Sequence, residues 1–172
     1  EWAAYERAAG LKPEFRILDL CAGTKSLRKV ARDLGWPYYS LDMDARSQPT
    51  FPMTMAAFLA NLSTPSFPLF QAPPAFFFFI WFSPPCQHFS GARYRNVGAL
   101  CPSIDPTRPV THEMLRRQTL EIAVPTLFTG LDIISKLQPR YIGAENPFNS
   151  TFDSFILHLK TLVADYCCYA LF

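Results

Sequence analysis

The sequence predicts an α/β fold in which a mostly parallel central sheet is flanked by helices. Two observations predict it: a strand, a small-residue turn, a helix and a second strand follow one another near the start of the chain, and a very apolar strand follows later. Consecutive parallel strands need a crossover helix, so this order indicates parallel pairing. With 172 residues, the chain is expected to form one domain.

The first strand–helix–strand unit is the clearest part of the pattern. Glu14 to Leu20 predicts a strand, and Cys21 to Ser26 a turn of small residues. The helix that follows has one apolar face and ends at Gly35. Trp36 to Leu41 predicts a second strand, which ends at Asp42. Units of this kind bind nucleotides in many proteins.

The middle of the chain is less regular. Between Arg46 and Pro74 the pattern predicts only a short helix from Met53 to Leu62. Phe76 to Phe82 predicts a buried central strand because it is almost wholly aromatic and apolar. Gly91 to Arg108, rich in Gly, Pro and Arg, predicts a loop.

Helical periodicity returns in the last third. Thr111 to Leu137 predicts a long helix with a kink at Pro125, and Arg140 to Ala144 a short strand. Phe152 to Phe172 predicts a further helix and then a strand.

Composition excludes several classes of protein. The net charge of +2 is too small to indicate a nucleic-acid surface by itself. The five cysteines lack the paired spacing of a disulfide framework or a zinc site, so we expect no metal and a reducing location, the cytoplasm, or the nucleus in a eukaryotic or viral setting. The longest apolar run, Ala75 to Phe82, is too short to cross a membrane, which needs roughly 20 residues.

The first strand end indicates a nucleotide-like cofactor. Asp19 precedes a tight loop that opens a helix, where free backbone N–H groups can meet an anionic group. Asp42, at the next strand end, is the expected acceptor for ribose hydroxyls. Because the loop has a single glycine, Gly23, a dinucleotide is less well matched than S-adenosylmethionine. The alternative is an ordinary turn with a capped helix.

Cys86 is the most informative residue of the chain. It follows the apolar strand directly after Ser83-Pro84-Pro85, a stiff segment that would deliver its thiol to the rim of the sheet. A thiol can add to a ring carbon that is otherwise a poor nucleophile, which points to carbon methylation of a pyrimidine. Glu145, at another strand end, can hold a proton at the ring nitrogen during that addition.

At these residues the chain resembles the DNA (cytosine-5) methyltransferase family of the bacterial and phage-borne kind. The segments that carry the resemblance, which spans Phe15 to Pro147, are Asp19 to Leu27, Pro84 to Ser90, and Glu145-Asn146-Pro147. It implies a Rossmann-like S-adenosylmethionine-dependent methyltransferase fold, incomplete at the C-terminus, that acts on a flipped cytosine in double-stranded DNA. We expect no membrane or metal partner, and a protein partner cannot be named from the sequence.

The resemblance also implies roles for individual residues, with Cys86 and Glu145 catalytic. The implied cofactor-binding residues are Asp19, Cys21, Ala22, Gly23, Thr24, Lys25, Ser26, Leu27, Asp42, Met43 and Pro84. The implied substrate-binding residues are Pro85, Gln87, Phe89, Ser90, Asn146 and Pro147, together with Arg93 and Arg95, which either contact DNA phosphates or lie in a solvated loop.

The chain departs from the family pattern in ways that leave two alternatives open. Cys21 and Lys25 replace a phenylalanine and a glycine of the cofactor loop, and nothing acidic lies between Asp44 and Asp105, where the family has a residue that contacts the adenine. The family's arginine-bearing strand and target-recognition region are not found before Phe172. The alternatives are a non-catalytic or partial core that binds the cofactor and needs a missing segment or partner, and an enzyme that methylates cytosine in RNA.

Overall fold

The protein is described here from a computed structural model, which describes residues 2–23, 26–84, 89, 91–101 and 105–145. For residues 91–93, 101, 105 and 106 only the backbone is described. The predicted elements beyond Phe152 lie outside these ranges. So do some of the predicted site residues: Thr24, Lys25, Pro85, Cys86, Gln87, Ser90, Asn146 and Pro147.

A five-stranded, wholly parallel sheet forms the centre of the fold, which confirms the predicted fold class. Its order is β3-β2-β1-β4-β7, so the first strand lies in the middle. The strands are β1 (Ile17–Leu20), β2 (Tyr38–Asp42), β3 (Phe51–Pro52), β4 (Phe79–Phe82) and β7 (Tyr141–Ala144). Every residue of β1 is buried, as expected for a strand with neighbours on both edges and layers on both faces.

The first helical crossover ends where the sequence predicts. Helix α2 (Ser26–Leu34) is followed by Gly35, whose φ of +69° is a left-handed conformation that glycine adopts without strain. The N–H of Trp36 then donates to the carbonyl of Ala31 at 2.8 Å, which closes the helix end. A helix that precedes this unit, α1 (Trp2–Ala8), was not predicted.

The irregular segment from Arg46 to Pro74, for which the sequence predicts only a short helix, contains an edge strand and a helix. Strand β3 pairs with β2, and helix α3 (Met55–Asn61) follows it. The helix begins two residues later than the predicted Met53 because Thr54 is its N-cap, with its hydroxyl oxygen accepting from the N–H of Ala57 at 3.2 Å.

The regular α-helical ladder is interrupted just before Pro125, where the sequence predicts a kink. Helix α4 (His112–Gln118) passes into a π-helical segment (Thr119–Ala123) and then into α5 (Val124–Leu137). Pro125 has no N–H to donate and its ring crowds the preceding turn, so a regular ladder is interrupted just before it.

The prediction of a plain loop from Gly91 to Arg108 was wrong. The segment contains a 3-10 helix (Gly91–Asn96) and an antiparallel pair, β5 (Leu100–Cys101) and β6 (Asp105–Pro109). Prolines near both ends of β6 kept it from being predicted as a strand. A two-stranded ribbon nevertheless tolerates proline, because one edge of each strand makes no ladder hydrogen bonds.

Helices α3 and α5 cover one face of the sheet and contact each other. Aromatic and branched side chains fill the space between these helices and the strands. The largest fully buried members of this core are Leu18, Leu20, Leu41, Phe58, Leu69, Phe77, Ile80, Phe82, Phe89, Leu127 and Ile133. In the described part of the chain, no helix is long and apolar enough to cross a membrane.

Candidate functional site

The carboxyl ends of the strands place the predicted site residues in one row. Leu20 of β1 is paired with Leu41 of β2 and with Phe82 of β4. The residues that follow these three in the chain, Cys21, Asp42 and Ser83, are therefore neighbours along the same edge. Glu145 extends the row, because Phe82 is paired with Ala144, and its N–H donates to the Phe82 carbonyl at 3.1 Å.

A cavity of about 700 Å³ opens along this edge. Its size falls within the range of small-molecule sites, roughly 300 to 1,000 Å³. Its walls come from the ends of β1, β2 and β4, the start of α3, and the junction of α4 and α5. The lining residues are Cys21, Gly23, Leu41, Asp42, Met43, Met53, Thr54, Met55, Ala56, Ser83, Phe89, Glu121, Ile122, Ala123, Pro125, Thr126 and Thr129.

Asp42 holds the first two strand ends together. Its Oδ2 accepts from the N–H of Gly23 at 2.8 Å, and its Oδ1 accepts from the N–H of Asp44 at 2.8 Å. An ionised carboxylate has about four acceptor positions, so two remain for a ligand. Gly23 has a φ of +46°, and a Cβ there would find its nearest neighbour at 4.0 Å, so glycine is required by conformation rather than by space.

Asp19 lies buried behind this loop. Its Oδ2 accepts from the hydroxyl of Tyr38 at 2.6 Å, whereas its Oδ1 is buried with no hydrogen-bond partner among the described residues. Burial raises the pKa of Asp19 from 3.8 to about 6; the Tyr38 hydrogen bond opposes this rise, and the charge of Asp42 adds to it. Asp19 does not line the cavity, so its negative charge would act on a ligand bound there only through space.

Cys21 has a structural role in this site. Its φ of +61° is unusual for a residue with a side chain, and its thiol points to the sulfur of Met55 at 3.6 Å. Burial, followed by the charges of Asp42 and Asp19, raises the pKa of Cys21 to about 12. The thiol therefore remains protonated, and it lines the cavity as a small apolar group rather than as a nucleophile.

The predicted nucleophile lies outside the described residues, but the chain on both sides of it is described. Ser83, three residues before Cys86, and Phe89, three residues after it, both line the cavity. Phe89 is 2% exposed, and Pro84 is buried. Described residues on both sides of Cys86 in the sequence therefore contribute to the wall of this cavity.

Other predicted site residues lie near the cavity without lining it. Among the described residues this group contains Asp19, Ala22, Ser26, Leu27, Pro84 and Glu145. The N–H of Ala22 donates to the carbonyl of Leu41 at 3.2 Å, which fixes the loop to β2. Arg93 and Arg95 lie in the 3-10 helix after the cysteine segment, where Arg95 is exposed.

Sequence reasoning missed two walls of the cavity. One is formed by Met53, Thr54 and Met55 at the start of α3, and the other by residues 121–129 at the α4–α5 junction. Residues that follow the third parallel strand lie at the same edge of the sheet, so recognition of that strand would have predicted the first wall. The strand itself, Phe51–Pro52, is too short to be recognised by alternation.

A second, wider groove shares Gly23 and Asp42 with this cavity. It measures about 1290 Å³ and is lined by basic side chains of α2, including Arg28, Lys29 and Arg32. Only the smaller of the two includes Ser83 and Phe89, which lie three residues before and three residues after Cys86 in the sequence. Among the described residues, no cluster of His, Cys, Asp or Glu could hold a metal ion.

The chain was compared with known proteins. It is 29% identical over 156 residues to a protein described as "Probable DNA (cytosine-5)-methyltransferase" of Frog virus 3 (isolate Goorha). The match covers 90% of this chain and 64% of the relative, so the chain spans somewhat under two thirds of that protein. Neither a protein-family profile nor a solved structure matches. The similarity confirms, at the level of the family, the resemblance to DNA (cytosine-5) methyltransferases that the motifs indicate.

Proposed function

We propose that this chain carries the catalytic core of a DNA cytosine-5 methyltransferase. In this reaction the methyl group of S-adenosylmethionine is transferred to C5 of a cytosine flipped out of the duplex. The observation that carries the proposal is the cavity at the carboxyl edge of the sheet. It combines the loop of Gly23 and Asp42 with the two residues, Ser83 and Phe89, that flank Cys86 in the sequence.

The residues of the cavity fit S-adenosylmethionine, which when bound supplies an electrophilic methyl group. The free acceptor positions of Asp42 would take the two ribose hydroxyls. Asp19, whose buried Oδ1 has no partner among the residues that the structure describes, would place negative charge behind the loop that meets the positively charged methionine end. Met43, 75% exposed directly after Asp42, would cover the base.

Cys86 and Glu145 would act on the cytosine. The Cys86 thiolate forms a bond to C6, and the π electrons of the C5–C6 bond move to C5, the position that is methylated. Glu145 holds a proton at N3, which lowers the energy of the addition because negative charge develops on the ring. C5 then takes the methyl group, and S-adenosylhomocysteine leaves with the electron pair of the broken sulfonium bond. A base, such as a water molecule, takes the C5 proton; the electrons of that C–H bond restore the C5–C6 double bond, and the bond between C6 and sulfur breaks to release the Cys86 thiolate.

The register of the sheet supports this pairing of roles. Ser83 and Glu145 follow paired residues, Phe82 and Ala144, of adjacent parallel strands. Parallel neighbours lie about 4.8 Å apart, so the segment that leads to Cys86 begins next to Glu145. Glu145 is half-buried, which leaves it accessible from the edge of the sheet.

Covalent trapping tests the proposal. The protein is incubated with S-adenosylmethionine and duplex DNA that contains 5-fluorocytosine, whose fluorine cannot leave as a proton does. We expect an adduct that survives denaturation, that is lost in Cys86→Ser, and that persists in the control Cys101→Ser. No adduct from folded protein that binds S-adenosylhomocysteine would favour a cofactor-binding core without catalysis. In a parallel incubation with RNA that contains 5-fluorocytosine, an adduct with the RNA and none with the DNA would favour the RNA substrate.

A further inference from the structure

Methionines are concentrated at the candidate site. The chain has four methionines, and three of them, Met43, Met53 and Met55, line the cavity. The fourth, Met114, lies in α4 and is not among the lining residues. Three thioether side chains at one site favour an aromatic ligand, because sulfur is polarisable and makes favourable contacts with aromatic rings.

Two of these methionines lie at equivalent positions on adjacent strands. Asp42 of β2 is paired with Pro52 of β3, so the next residues, Met43 and Met53, leave the two strands at the same level. Neighbouring strands lie about 4.8 Å apart. The two side chains therefore start side by side at the edge, immediately after the residue that would hold the ribose.

The three side chains differ in how firmly they are held. The sulfur of Met53 accepts a hydrogen bond from the side-chain amide of Asn61 at 3.5 Å, and Met55 is only 9% exposed and meets the Cys21 thiol. Met43 is 75% exposed. Met53 and Met55 thus form a fixed wall, and Met43 forms a side that can adjust.

The polar groups near these methionines offer little to an exocyclic amino group. Of the described lining residues, those with carboxylates are Asp42 and Glu121. The two acceptor positions that remain on Asp42 are those that the proposed function gives to the ribose hydroxyls, and Glu121 pairs with Arg117 at 2.7 Å. The Thr54 hydroxyl accepts from the N–H of Ala57, but it can still donate or accept at the cavity.

We propose that Met43 and Met53 form a thioether clamp that binds the purine ring of the cofactor by shape and polarisability, with no carboxylate of the described lining residues left to read its 6-amino group. This inference rests on the proposed function, because it takes the cofactor to be an adenosyl compound. One consequence is that the site accepts a 6-oxopurine in place of adenine. A hydroxyl such as that of Thr54 can accept a hydrogen bond from the 6-amino group or donate one to the 6-oxo group. An ionised carboxylate can only accept, so it would repel the oxo group.

Calorimetric titration of the full chain with S-adenosylhomocysteine tests the clamp. We expect Met43→Ala and Met53→Ala each to weaken binding about 5- to 20-fold, and Met43→Leu, which keeps the volume and loses the sulfur, only about 2- to 3-fold. Met114→Ala should leave the affinity unchanged. S-inosylhomocysteine should bind wild-type protein within about threefold of the adenosyl compound.

The outcomes separate the clamp from the proposed function. Unchanged affinity in Met43→Ala and Met53→Ala, or a preference for adenine above about 100-fold, would overturn the clamp while the cofactor assignment stands. Wild-type protein that binds no S-adenosylhomocysteine would overturn both. Because Met43 is exposed, its substitution tests binding without endangering the fold.

Discussion

Asp19 is the residue whose environment most clearly distinguishes this site from an ordinary strand end. It is 2% exposed, has one oxygen with no partner in the described part of the chain, and has a pKa raised to about 6 by burial. A carboxylate in such a position opposes folding once it is ionised. This cost fits the proposal that the charge of Asp19 acts on a ligand at the carboxyl edge of the sheet.

The raised pKa predicts a specific dependence of stability on pH. Between about pH 4 and pH 6 the folded protein keeps the Asp19 proton and the unfolded chain releases it, so the free energy of unfolding falls as the pH rises through this window. The loss is on the order of 2 to 3 kcal/mol. Urea denaturation should show this fall in wild-type protein and its absence in Asp19→Asn.

The exposed Asp33→Asn serves as the control for this measurement. This variant should keep the wild-type pH dependence of the free energy of unfolding, because Asp19 is unchanged in it. Parallel curves for wild type and Asp19→Asn across the window would contradict the assigned pKa.

Cys21 gives a second prediction at the residue scale. A rise in its pKa from 9.0 to about 12 lowers the thiolate fraction near pH 8 roughly a thousandfold. Iodoacetamide should therefore label Cys21 at least about a hundred times more slowly in folded protein than in urea, as followed by mass spectrometry of its peptide. Equal rates in the two states would show that Cys21 is an exposed, ordinary thiol.

At the scale of elements, sequence predicts best what depends on local pattern. Three features could be predicted: strand β1, the end of α2 at Gly35 and the interruption near Pro125. Their signals are apolar periodicity, a glycine in the left-handed conformation and a proline without an N–H. Each of these signals acts within a few residues. Strand β3 and the β5–β6 pair could not be predicted. Their two- to five-residue strands form by pairing with distant chain, which no local pattern records.

The candidate site divides in the same way. The loop residues Gly23 and Asp42 could be predicted because they belong to one continuous strand–helix–strand unit. Met53 and Met55 could not, since their position depends on β3 pairing with β2. Sequence cannot show that Glu121 and Thr129, from a helix far along the chain, close the opposite wall of the same cavity.

Close packing of α5 on the sheet gives a prediction for Gly130. Replacing a glycine inside a helix by alanine ordinarily stabilises it by roughly 1 kcal/mol. Here a Cβ on Gly130 would lie 2.7 Å from Cε1 of Phe82, in the centre of the sheet. We expect Gly130→Ala to lower the free energy of unfolding by about 1 to 3 kcal/mol, as measured by urea denaturation.

Two further variants identify the cause of that loss. Ser135→Ala, at an exposed position of the same helix, should be neutral or slightly stabilising. In the double variant with Phe82→Leu, the two losses should not add, because the smaller side chain leaves room for the new methyl group. A stabilising Gly130→Ala would mean that α5 lies farther from β4 than described here.

On the scale of the whole molecule, the two ends of the sheet have separate tasks. The carboxyl end carries the cavity, and the amino end carries a buried ion pair that attaches α1 to the sheet. Glu6, 1% exposed, accepts from Nε of Arg16 at 2.8 Å and from the hydroxyl of Tyr39 at 2.6 Å. Arg16 immediately precedes β1, and its guanidinium also lies over the ring of Phe76.

This separation predicts that stability and ligand binding can be changed independently. Glu6→Gln leaves the charge of Arg16 buried without its counter-ion, which costs about 3 to 5 kcal/mol. The exposed Glu14→Gln, eight residues along the chain, should change stability by less than about 0.5 kcal/mol. Urea denaturation measures both effects, and titration of the folded variants with S-adenosylhomocysteine measures binding.

We expect Glu6→Gln to bind S-adenosylhomocysteine within about twofold of wild type, because a ligand that contacts only the carboxyl end exchanges no contact with Glu6 and its affinity for the folded state is unaltered. Its lower stability would still appear as a lower melting temperature at every ligand concentration, with the same increment on saturation as in wild-type protein. A large loss of affinity in a variant shown to be folded would mean that strands β1 and β2 transmit strain from the amino end of the sheet to its carboxyl end. The Gly23–Asp42 loop would then depend on the N-terminal helix, contrary to the division of tasks argued from the ion pair.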